Sequence, residues 1–311
     1  MGKYAESAEW ADVEPVPQND GPGQPLAAIM YPAAYSEAMS YLRAVIARQE
    51  MSDRVLELTE DIISMNPAHY TVWLYRAKTV FATGRDLRTE IAWLNPIALR
   101  NLKNYQIWNH RQTMIDRLDD PNGEAEFITQ MFEQDSKNYH VWSYRQWLVK
   151  RFALWDSDEF EAVDELLRKD IRNNSAWNHR WFLNFARGDE ALADKKRVDG
   201  EVEYVKEAIA LAPQNASPWN YLRGLVREAK GPATLPLRSL KPFAQKYASL
   251  DAPDSVQSSH ALELLADIHA EENLANEASK ALDLLATRYD PIRANYWMWK
   301  KEKLLGVPVS A

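Results

Sequence analysis

The 311-residue sequence contains no cysteine, and glycine is scarce, with 10 residues. Without cysteine the chain can form no disulfide, no Cys-type zinc site and no thiol nucleophile. So few glycines disfavour a β-rich fold with many tight turns, whereas the abundant Ala, Leu, Glu, Lys and Arg favour helices. The composition therefore predicts an all-α protein, and the lack of cysteine fits a reducing compartment.

Charge and hydrophobicity exclude two further classes of protein. A net charge of −8 argues against a general nucleic-acid binder. No apolar run approaches the ~20 residues that cross a bilayer, and no basic stretch followed by an apolar core marks a secretory signal. The sequence predicts a soluble, cytoplasmic protein with no transmembrane segment and no nucleic-acid partner.

The motifs of a self-contained enzyme are also missing. The sequence has no Gly-rich phosphate loop, no HExxH and no Gly-x-Ser-x-Gly elbow. Among the six histidines only His260 and His269 lie near each other, and nine residues is not a spacing that shares one helix face. We therefore expect no metal bound by this chain alone.

What the sequence does contain is a repeat with a period near 35 residues. Five tryptophans follow one another at spacings of 35, 34, 35 and 42 residues, within the shared pattern Asn-Tyr-x-x-Trp-x-x-Arg. A weaker copy, NYWMW, lies at 295–299. The five tryptophans are Trp73, Trp108, Trp142, Trp177 and Trp219, and the copies are HYTVWLYR at 69–76, NYQIWNHR at 104–111, NYHVWSYR at 138–145, NNSAWNHR at 173–180 and NASPWNYL at 215–222.

Each copy reads as the start of a helix. An Asn four residues before the Trp can cap the helix, and Trp and the Arg three residues later share one face. Amphipathic stretches at 52–65, 124–135 and 158–171 supply a second helix for each period. Two helices and two loops fill ~35 residues, which predicts a solenoid of antiparallel helix pairs. We expect a flexible Pro-rich tail at 1–25, one solenoid at 26–306 and a short tail at 307–311.

The repeated residues are interpreted first as structural. A tryptophan in every repeat is typical of inter-helix core. The arginines of the motif are expected to bind carboxylates or helix C-termini of neighbouring repeats. His110 and His179 occupy the position that tyrosine takes in other copies, which indicates a hydrogen-bonding packing site and not a metal site. The four arginines are Arg76, Arg111, Arg145 and Arg180.

The loops just before the motif helices are the candidate binding surface, because loops on one edge of a solenoid form a continuous face. Lys103, Lys137 and Arg172 each precede a capping Asn. A cation is unfavourable beside the positive end of a helix dipole, so three in a row suggest a bound anion. Solvated loop charges are the alternative.

The repeat resembles that of protein prenyltransferase α subunits over residues 55–225, with an extension to 299. LKNYQIWNHR at 102–111, SKNYHVWSYRQW at 136–147 and RNNSAWNHRWF at 172–182 resemble in particular the subunit shared by farnesyltransferase and type I geranylgeranyltransferase. The resemblance implies a right-handed superhelix wrapped around a β subunit, in an enzyme active only as that heterodimer. It implies transfer of a farnesyl or geranylgeranyl group from its diphosphate to the cysteine of a C-terminal CaaX motif.

The resemblance also implies roles for residues and cofactors. Lys103 matches the lysine that contacts the diphosphate, and Tyr105 and Tyr139 match its catalytic surroundings. Gln106 matches the residue that binds the terminal carboxylate of the protein substrate, and Asn138 and His140 match the adjacent substrate-binding loop. Zinc is implied in the β subunit, with magnesium for farnesyl transfer, and no metal in this chain.

Two alternatives compete with this interpretation. A Rab geranylgeranyltransferase α subunit has a similar repeat but lacks the Lys-Asn-Tyr-Gln run found at 103–106. A non-catalytic TPR-like adaptor has a similar period, but its small-residue signature does not match the Trp–Arg pattern. His69 in the first copy and Leu222 in the fifth depart from the family pattern, away from Lys103.

Overall fold

The computed structural model of the protein describes residues 2–23, 26–27, 29–156 and 158–305. Regular structure in these ranges is helical, with no β-strand among them, so the predicted all-α class is confirmed. The chain divides into two compact units, Met1–Ala153 and Leu154–Ala311. A single solenoid over 26–306 stays a prediction, and the predicted tail at 307–311 lies outside the described residues.

After a first single helix, the first unit consists of three helix pairs in which a short connection forces the two helices to run antiparallel. We call the four residues that join the first and second helix of a pair a tip. Consecutive helices of each pair pack on one another, and the second helices of successive pairs also pack together. The helices are α1 (Ala33–Ala47), α2 (Asp53–Met65), α3 (Tyr70–Thr83), α4 (Leu87–Arg100), α5 (Tyr105–Leu118), α6 (Glu124–Gln134) and α7 (Tyr139–Phe152).

The second unit contains two more helix pairs that are joined by tips, and its later part is less regular. Short 3₁₀ turns lie at Gly231–Ala233 and Leu237–Leu240, and a π-helical turn spans Leu285–Tyr289. Its helices are α8 (Glu159–Lys169), α9 (Asn174–Phe185), α10 (Glu190–Ala193), α11 (Lys195–Leu211), α12 (Ala216–Glu228), α13 (Lys241–Ala244), α14 (Ser259–Glu271), α15 (Ala275–Leu284) and α16 (Ala294–Leu305).

The amphipathic pattern explains how the first helix of each pair is oriented. In α2 the residues Val55, Leu58 and Ile62 are buried at spacings of three and four, while acidic residues between them face solvent. In α8 the corresponding stripe is Val163 and Leu167. These stripes pack against the second helix, whose Trp-bearing face completes the core of the pair.

The N-terminal segment packs more closely than a flexible tail would. Tyr4 and Trp10 are buried, and their rings lie 5.4 and 5.5 Å from the ring of Tyr41 on α1. The guanidinium of Arg54 lies 4.9 Å from the centre of the Trp10 ring. Prolines and the lack of periodicity suggested a loose segment, but two aromatic side chains bury enough apolar surface to hold its first part against α1.

The weak sixth copy does not reproduce the motif geometry. Trp299, which aligns with the motif tryptophan, is half-exposed at 52%, whereas Trp297 is buried at 1%. The indole of Trp297 donates to the carbonyl of Asp290 at 3.2 Å. The apolar face of α16 is therefore shifted by two residues from that of the five regular copies.

Candidate functional site

Four of the five tips end at an asparagine whose side chain caps the helix that follows. Asn104 Oδ1 accepts hydrogen bonds from the backbone N–H groups of Gln106 at 2.8 Å and Ile107 at 3.2 Å, which caps α5. Its Nδ2 donates to the carbonyl of Pro67 in the preceding tip at 2.8 Å. Asn138 likewise caps α7, and its Nδ2 donates to the Leu102 carbonyl at 2.9 Å. The capping residues thus tie neighbouring tips together.

His69 is the exception that the sequence showed, since it caps α3 without a side-chain hydrogen bond.

Behind the tips, the motif arginines hold buried carboxylates of the next repeat. Arg76 on α3 binds both oxygens of Glu90 on α4, with Nε–Oε1 at 2.6 Å and Nη2–Oε2 at 2.9 Å. Arg180 on α9 binds Glu201 on α11 in the same bidentate way. Arg145 is buried at the equivalent position of α7. This geometry matches the predicted bridging of repeats by arginine.

In three copies the side chain two residues after the Trp supplies a further ligand to the same carboxylates, whereas Tyr75 in the first copy donates to the backbone carbonyls of Val45 and Glu50. His110 Nε2 lies 2.8 Å from Glu90 Oε1. The Tyr144 hydroxyl donates to Glu124 at 2.6 Å. The Tyr221 hydroxyl donates to Glu201, also at 2.6 Å. Histidine and tyrosine therefore act alike in this position, as hydrogen-bond donors in the core.

The charges in this core are stabilised by pairing. Burial by itself raises the pKa of Glu90, but hydrogen bonds from His110 and Arg76 outweigh it and hold that pKa at about 2. Burial lowers the pKa of His110, so the ring is neutral at pH 7 and donates through Nε2. Burial likewise raises the pKa of Tyr144 well above its ordinary value.

The five motif tryptophans are all buried. In four of them the indole N–H donates to the backbone carbonyl six residues earlier, inside the tip. These bonds are Trp73–Pro67 at 2.7 Å, Trp142–Ser136 at 2.9 Å, Trp177–Ile171 at 2.8 Å and Trp219–Pro213 at 2.9 Å. The tryptophans thus form the core and also hold the tips.

The predicted catalytic residues gather at the exposed ends of α5 and α7. Lys103 is exposed and has no ion-pair or side-chain hydrogen-bond partner within the described ranges. Tyr105 is 68% exposed and Tyr139 is 70% exposed at the first position of their helices. His140 links them, with its ring 4.3 Å from that of Tyr105 and 5.6 Å from that of Tyr139. The structure therefore brings four of the six predicted site residues to one surface.

The other two predicted residues lie beneath this surface. Gln106 is half-buried, and its backbone N–H takes part in the cap of α5. Asn138 is 3% exposed, and both ends of its amide are engaged, in the cap of α7 and with Leu102. The prediction that Asn138 binds substrate did not anticipate these hydrogen bonds, which use the polar atoms of its side chain.

Partial burial lowers the pKa of His140, so this ring is neutral at pH 7.

In the described part of the chain, no three His, Cys, Asp or Glu side chains are grouped so that they could hold a metal ion. Within the same ranges, no helix combines the length and the apolarity that crossing a membrane requires.

Comparison with known proteins decides the family. The signature described as "Protein prenyltransferase alpha subunit repeat" matches residues 52–83, 87–118, 121–152, 156–186 and 198–229. The protein farnesyltransferase/geranylgeranyltransferase type-1 subunit alpha of Candida albicans is 39% identical over 308 residues, or 96% of this chain and 98% of that protein. The chain belongs to the protein prenyltransferase α-subunit family.

Further relatives of this prenyltransferase α chain agree. The type-1 subunit alpha of Dictyostelium discoideum is 36% identical over 309 residues, covering 96% of this chain and 92% of that protein. The solved structure of Candida albicans protein geranylgeranyltransferase-I complexed with GGPP matches with a TM-score of 0.86 and 39% identity, over 94% of this chain and 97% of that chain. The predicted resemblance to the shared type I α subunit is confirmed, and the Rab-type alternative is not favoured.

The sequence analysis missed the acidic partners in the core of this α chain. Glu90 and Glu124 follow their arginines by 14 and 13 residues, whereas Glu201 follows Arg180 by 21. The first two spacings were a detectable signal. The third is lengthened because α10 is inserted between α9 and α11.

Proposed function

We propose that this chain acts in the cytoplasm as the α subunit of a heterodimeric CaaX protein prenyltransferase. With a β subunit it transfers a farnesyl or geranylgeranyl group from its diphosphate to the cysteine of a C-terminal CaaX motif. In that reaction the cysteine thiolate supplies an electron pair, a carbon–sulfur bond forms, and the carbon–oxygen bond to the diphosphate breaks. The diphosphate leaves with the electron pair of the broken bond.

The exposure and the position of the Lys103 side chain are the observation on which this proposal rests. Its ammonium is exposed and unpaired within the described ranges, beside the N-terminus of α5, where the helix dipole already presents positive charge. Such a cation is stabilised when an anion binds both it and the helix end. A diphosphate that gains charge during transfer fits this arrangement, because a positioned cation stabilises the transition state more than the bound substrate.

The residues around Lys103 complete the proposed site. We assign Tyr105 and Tyr139 to the diphosphate side, where their hydroxyls are free to donate hydrogen bonds. His140 is neutral at pH 7, and it positions both rings through its contacts with them. Asn138 acts indirectly, by holding the tip of Lys103 against α7. Gln106 is assigned to the terminal carboxylate of the CaaX substrate.

The metals are placed outside this chain. The described residues offer no three-ligand cluster and the sequence has no cysteine, so they do not fit a zinc site. We assign zinc to the β subunit and magnesium to the diphosphate. When bound there, zinc lowers the pKa of the substrate thiol and presents its sulfur as a nucleophile.

The proposed function is tested by reconstitution. The chain is co-expressed with CaaX prenyltransferase β chains, and each purified complex is given farnesyl or geranylgeranyl diphosphate and a CaaX peptide. We expect a stable heterodimer that alkylates the peptide and leaves a matched peptide with Ser in place of Cys unmodified. A chain that stays monomeric and inactive with every β chain contradicts the proposal and favours an adaptor. Transfer only to Rab-type C-termini instead supports the Rab enzyme.

A further inference from the structure

The five tips provide an internal comparison, since each joins two helices through four residues. Two kinds of hydrogen bond recur in them. In four tips the N–H of the capping residue donates to the carbonyl three residues earlier, at 2.9–3.3 Å, and the motif Trp donates to the carbonyl of the second tip residue. The first kind comprises His69–Asn66, Asn138–Asp135, Asn173–Asp170 and Asn215–Ala212.

A third bond closes three of these four tips. The first tip residue is Asn or Asp, and its side-chain oxygen accepts the N–H of the third residue. The pairs are Asn66 with Ala68 at 3.2 Å, Asp135 with Lys137 at 3.1 Å and Asp170 with Arg172 at 2.9 Å. The fifth tip begins with Ala212 and has no such side chain.

The second tip, residues 101–104, is the one that carries Lys103. Residues 102–103 form the same backbone turn as in the other four tips, but among the described residues the two side-chain bonds are missing here. Within the described ranges, the N–H of Lys103 finds no acceptor on the Asn101 side chain, and the Trp108 indole finds none on Leu102. Asn101 is present in the right place, but its side chain turns back and donates to the carbonyl of Ile97 at 2.9 Å.

The end of α4 explains the difference. Its last bond runs from the N–H of Asn101 to the carbonyl of Ala98, three residues back, whereas α2, α6 and α8 end on bonds four residues back. Pro96 lies inside α4, and no other first helix of the five pairs contains a proline. Proline removes a helical N–H and distorts the turn around it. The last turn of α4 is thus tightened, and the Asn101 side chain bonds back to Ile97.

The consequence is a buried donor without an acceptor. Trp108 is 5% exposed, and its Nε1 has no hydrogen-bond partner within the described ranges. An unmade bond of this kind costs about 1–3 kcal/mol. The expected acceptor, the Leu102 carbonyl, holds only Asn138. The equivalent carbonyl of Pro67 accepts two donors at once, Trp73 and Asn104.

We propose that the second tip closes when a diphosphate binds at Lys103. On closing, Trp108 Nε1 donates to the Leu102 carbonyl, as the equivalent indoles do in the other four tips. Trp108 is then a positioning residue, which fixes the backbone that carries Lys103 without touching the substrate. This inference rests on the proposed function, because the anion that drives closure is the one assigned to Lys103.

The energetic reasoning favours coupling between closure and binding. In the open tip, the desolvated indole N–H lacks a partner, and closure gives it one. A ligand that binds the closed tip better shifts the population toward it. Leaving this bond to form with the ligand lets the tip adapt during entry and release.

Amide hydrogen exchange in the reconstituted heterodimer tests closure directly. Lys103-Asn104-Tyr105 and Lys137-Asn138-Tyr139 have the same sequence, so their intrinsic exchange rates are close. We expect the amide of Lys103 to exchange faster than that of Lys137, which donates to the Asp135 side chain. Inorganic diphosphate should slow exchange at Lys103 and leave exchange at Lys137 unchanged. Equal protection of both tips without diphosphate, or no slowing with it, overturns the proposal.

Trp108→Phe tests the positioning role, with Trp177→Phe as the matched control. Each substitution removes one buried indole N–H, but that of Trp177 is bonded in the fourth tip and that of Trp108 is not. We expect Trp108→Phe to abolish the slowing by diphosphate and to reduce kcat about three- to tenfold, the range of one hydrogen bond, with the peptide KM unchanged. Trp177→Phe should lower Tm more than Trp108→Phe does and leave the diphosphate response intact.

A third variant separates this inference from the proposed function. If Lys103→Ala transfers the isoprenoid group at the wild-type rate, the assignment of the diphosphate site to Lys103 is itself refuted. If Lys103→Ala abolishes transfer but Trp108→Phe behaves like Trp177→Phe in every measurement, Lys103 keeps its role and the positioning role of Trp108 is refuted.

Discussion

Arg111 holds Glu124 through two parallel hydrogen bonds, Nε to Oε2 at 2.7 Å and Nη2 to Oε1 at 2.8 Å. Both side chains are at most 2% exposed. Arg111 lies on the second helix of one pair and Glu124 on the first helix of the next, so the ion pair joins consecutive repeats. The same bidentate arrangement joins Arg76 to Glu90 and Arg180 to Glu201.

Removing the arginine of this pair should destabilise the protein strongly. Arg111→Ala leaves the carboxylate of Glu124 buried without its cation, which costs about 3–5 kcal/mol in the free energy of unfolding. Arg151→Ala is the control, because its partners Asp116 and Asp119 are exposed and such pairs contribute little. The melting temperatures of the heterodimers measure both effects. Equal shifts for the two variants would show that the buried pair has no special role.

The pairing of Glu90 predicts acid-labile stability. Its pKa is about 2 in the folded chain and 4.5 in an unfolded one. A lowered folded pKa contributes stability that is complete above pH 4.5 and is lost as the pH falls toward 2. The shift corresponds to about 3 kcal/mol. We expect the Tm difference between wild type and Glu90→Gln to be largest above pH 4.5 and to narrow below it. A difference independent of pH would contradict the assignment.

The equivalence of histidine and tyrosine two residues after the Trp predicts a tolerated exchange. His110→Tyr places a hydroxyl where Tyr144 has one toward Glu124, so a donor to Glu90 is retained. His110→Phe has similar bulk but no donor, and it leaves the carboxylate with one partner fewer, at a cost of about 1–3 kcal/mol. Thermal unfolding should rank the phenylalanine variant clearly below the tyrosine variant. The reverse order would indicate that ring size, and not hydrogen bonding, decides this position.

The N-terminal segment should contribute measurably to stability. Trp10 packs against Tyr41, and Asp12 beside it binds Arg54 Nη1 at 2.7 Å. Trp10→Ala removes a large buried side chain, and we expect a loss of about 3–5 kcal/mol. Glu14→Ala, at an exposed position of the same segment, should leave Tm unchanged. A segment that is flexible in solution would instead show no effect of either substitution.

The regular part of this fold could be predicted from the sequence because its signals are local. The spacing of the tryptophans located the second helix of each of the five pairs. The capping asparagines marked the starts of α5, α7, α9 and α12. The packing of Tyr4 and Trp10 could not be predicted, since it depends on the distant Tyr41 and not on any periodicity. The shift from Trp299 to Trp297 in the last copy also depends on tertiary packing.

The candidate site was only partly predictable for a related reason. The position of Lys103 before a helix follows from the cap at Asn104 alone. The engagement of Asn138 depends on the Leu102 carbonyl, 36 residues earlier. The buried Trp108 indole, which has no hydrogen-bond partner within the described ranges, stands out only when the five tips are compared in three dimensions.

The most direct test of the account is the rate of a single turnover in the reconstituted heterodimer with Lys103→Ala. Arg172→Ala, at the equivalent tip position before α9, is the control. Loss of one charge-stabilising donor should reduce the rate of transfer about 100-fold or more for Lys103→Ala, and Arg172→Ala should change it far less. Equal effects of the two substitutions would instead support a shared row of cations. A wild-type rate for Lys103→Ala would contradict the central claim that this lysine stabilises the departing diphosphate.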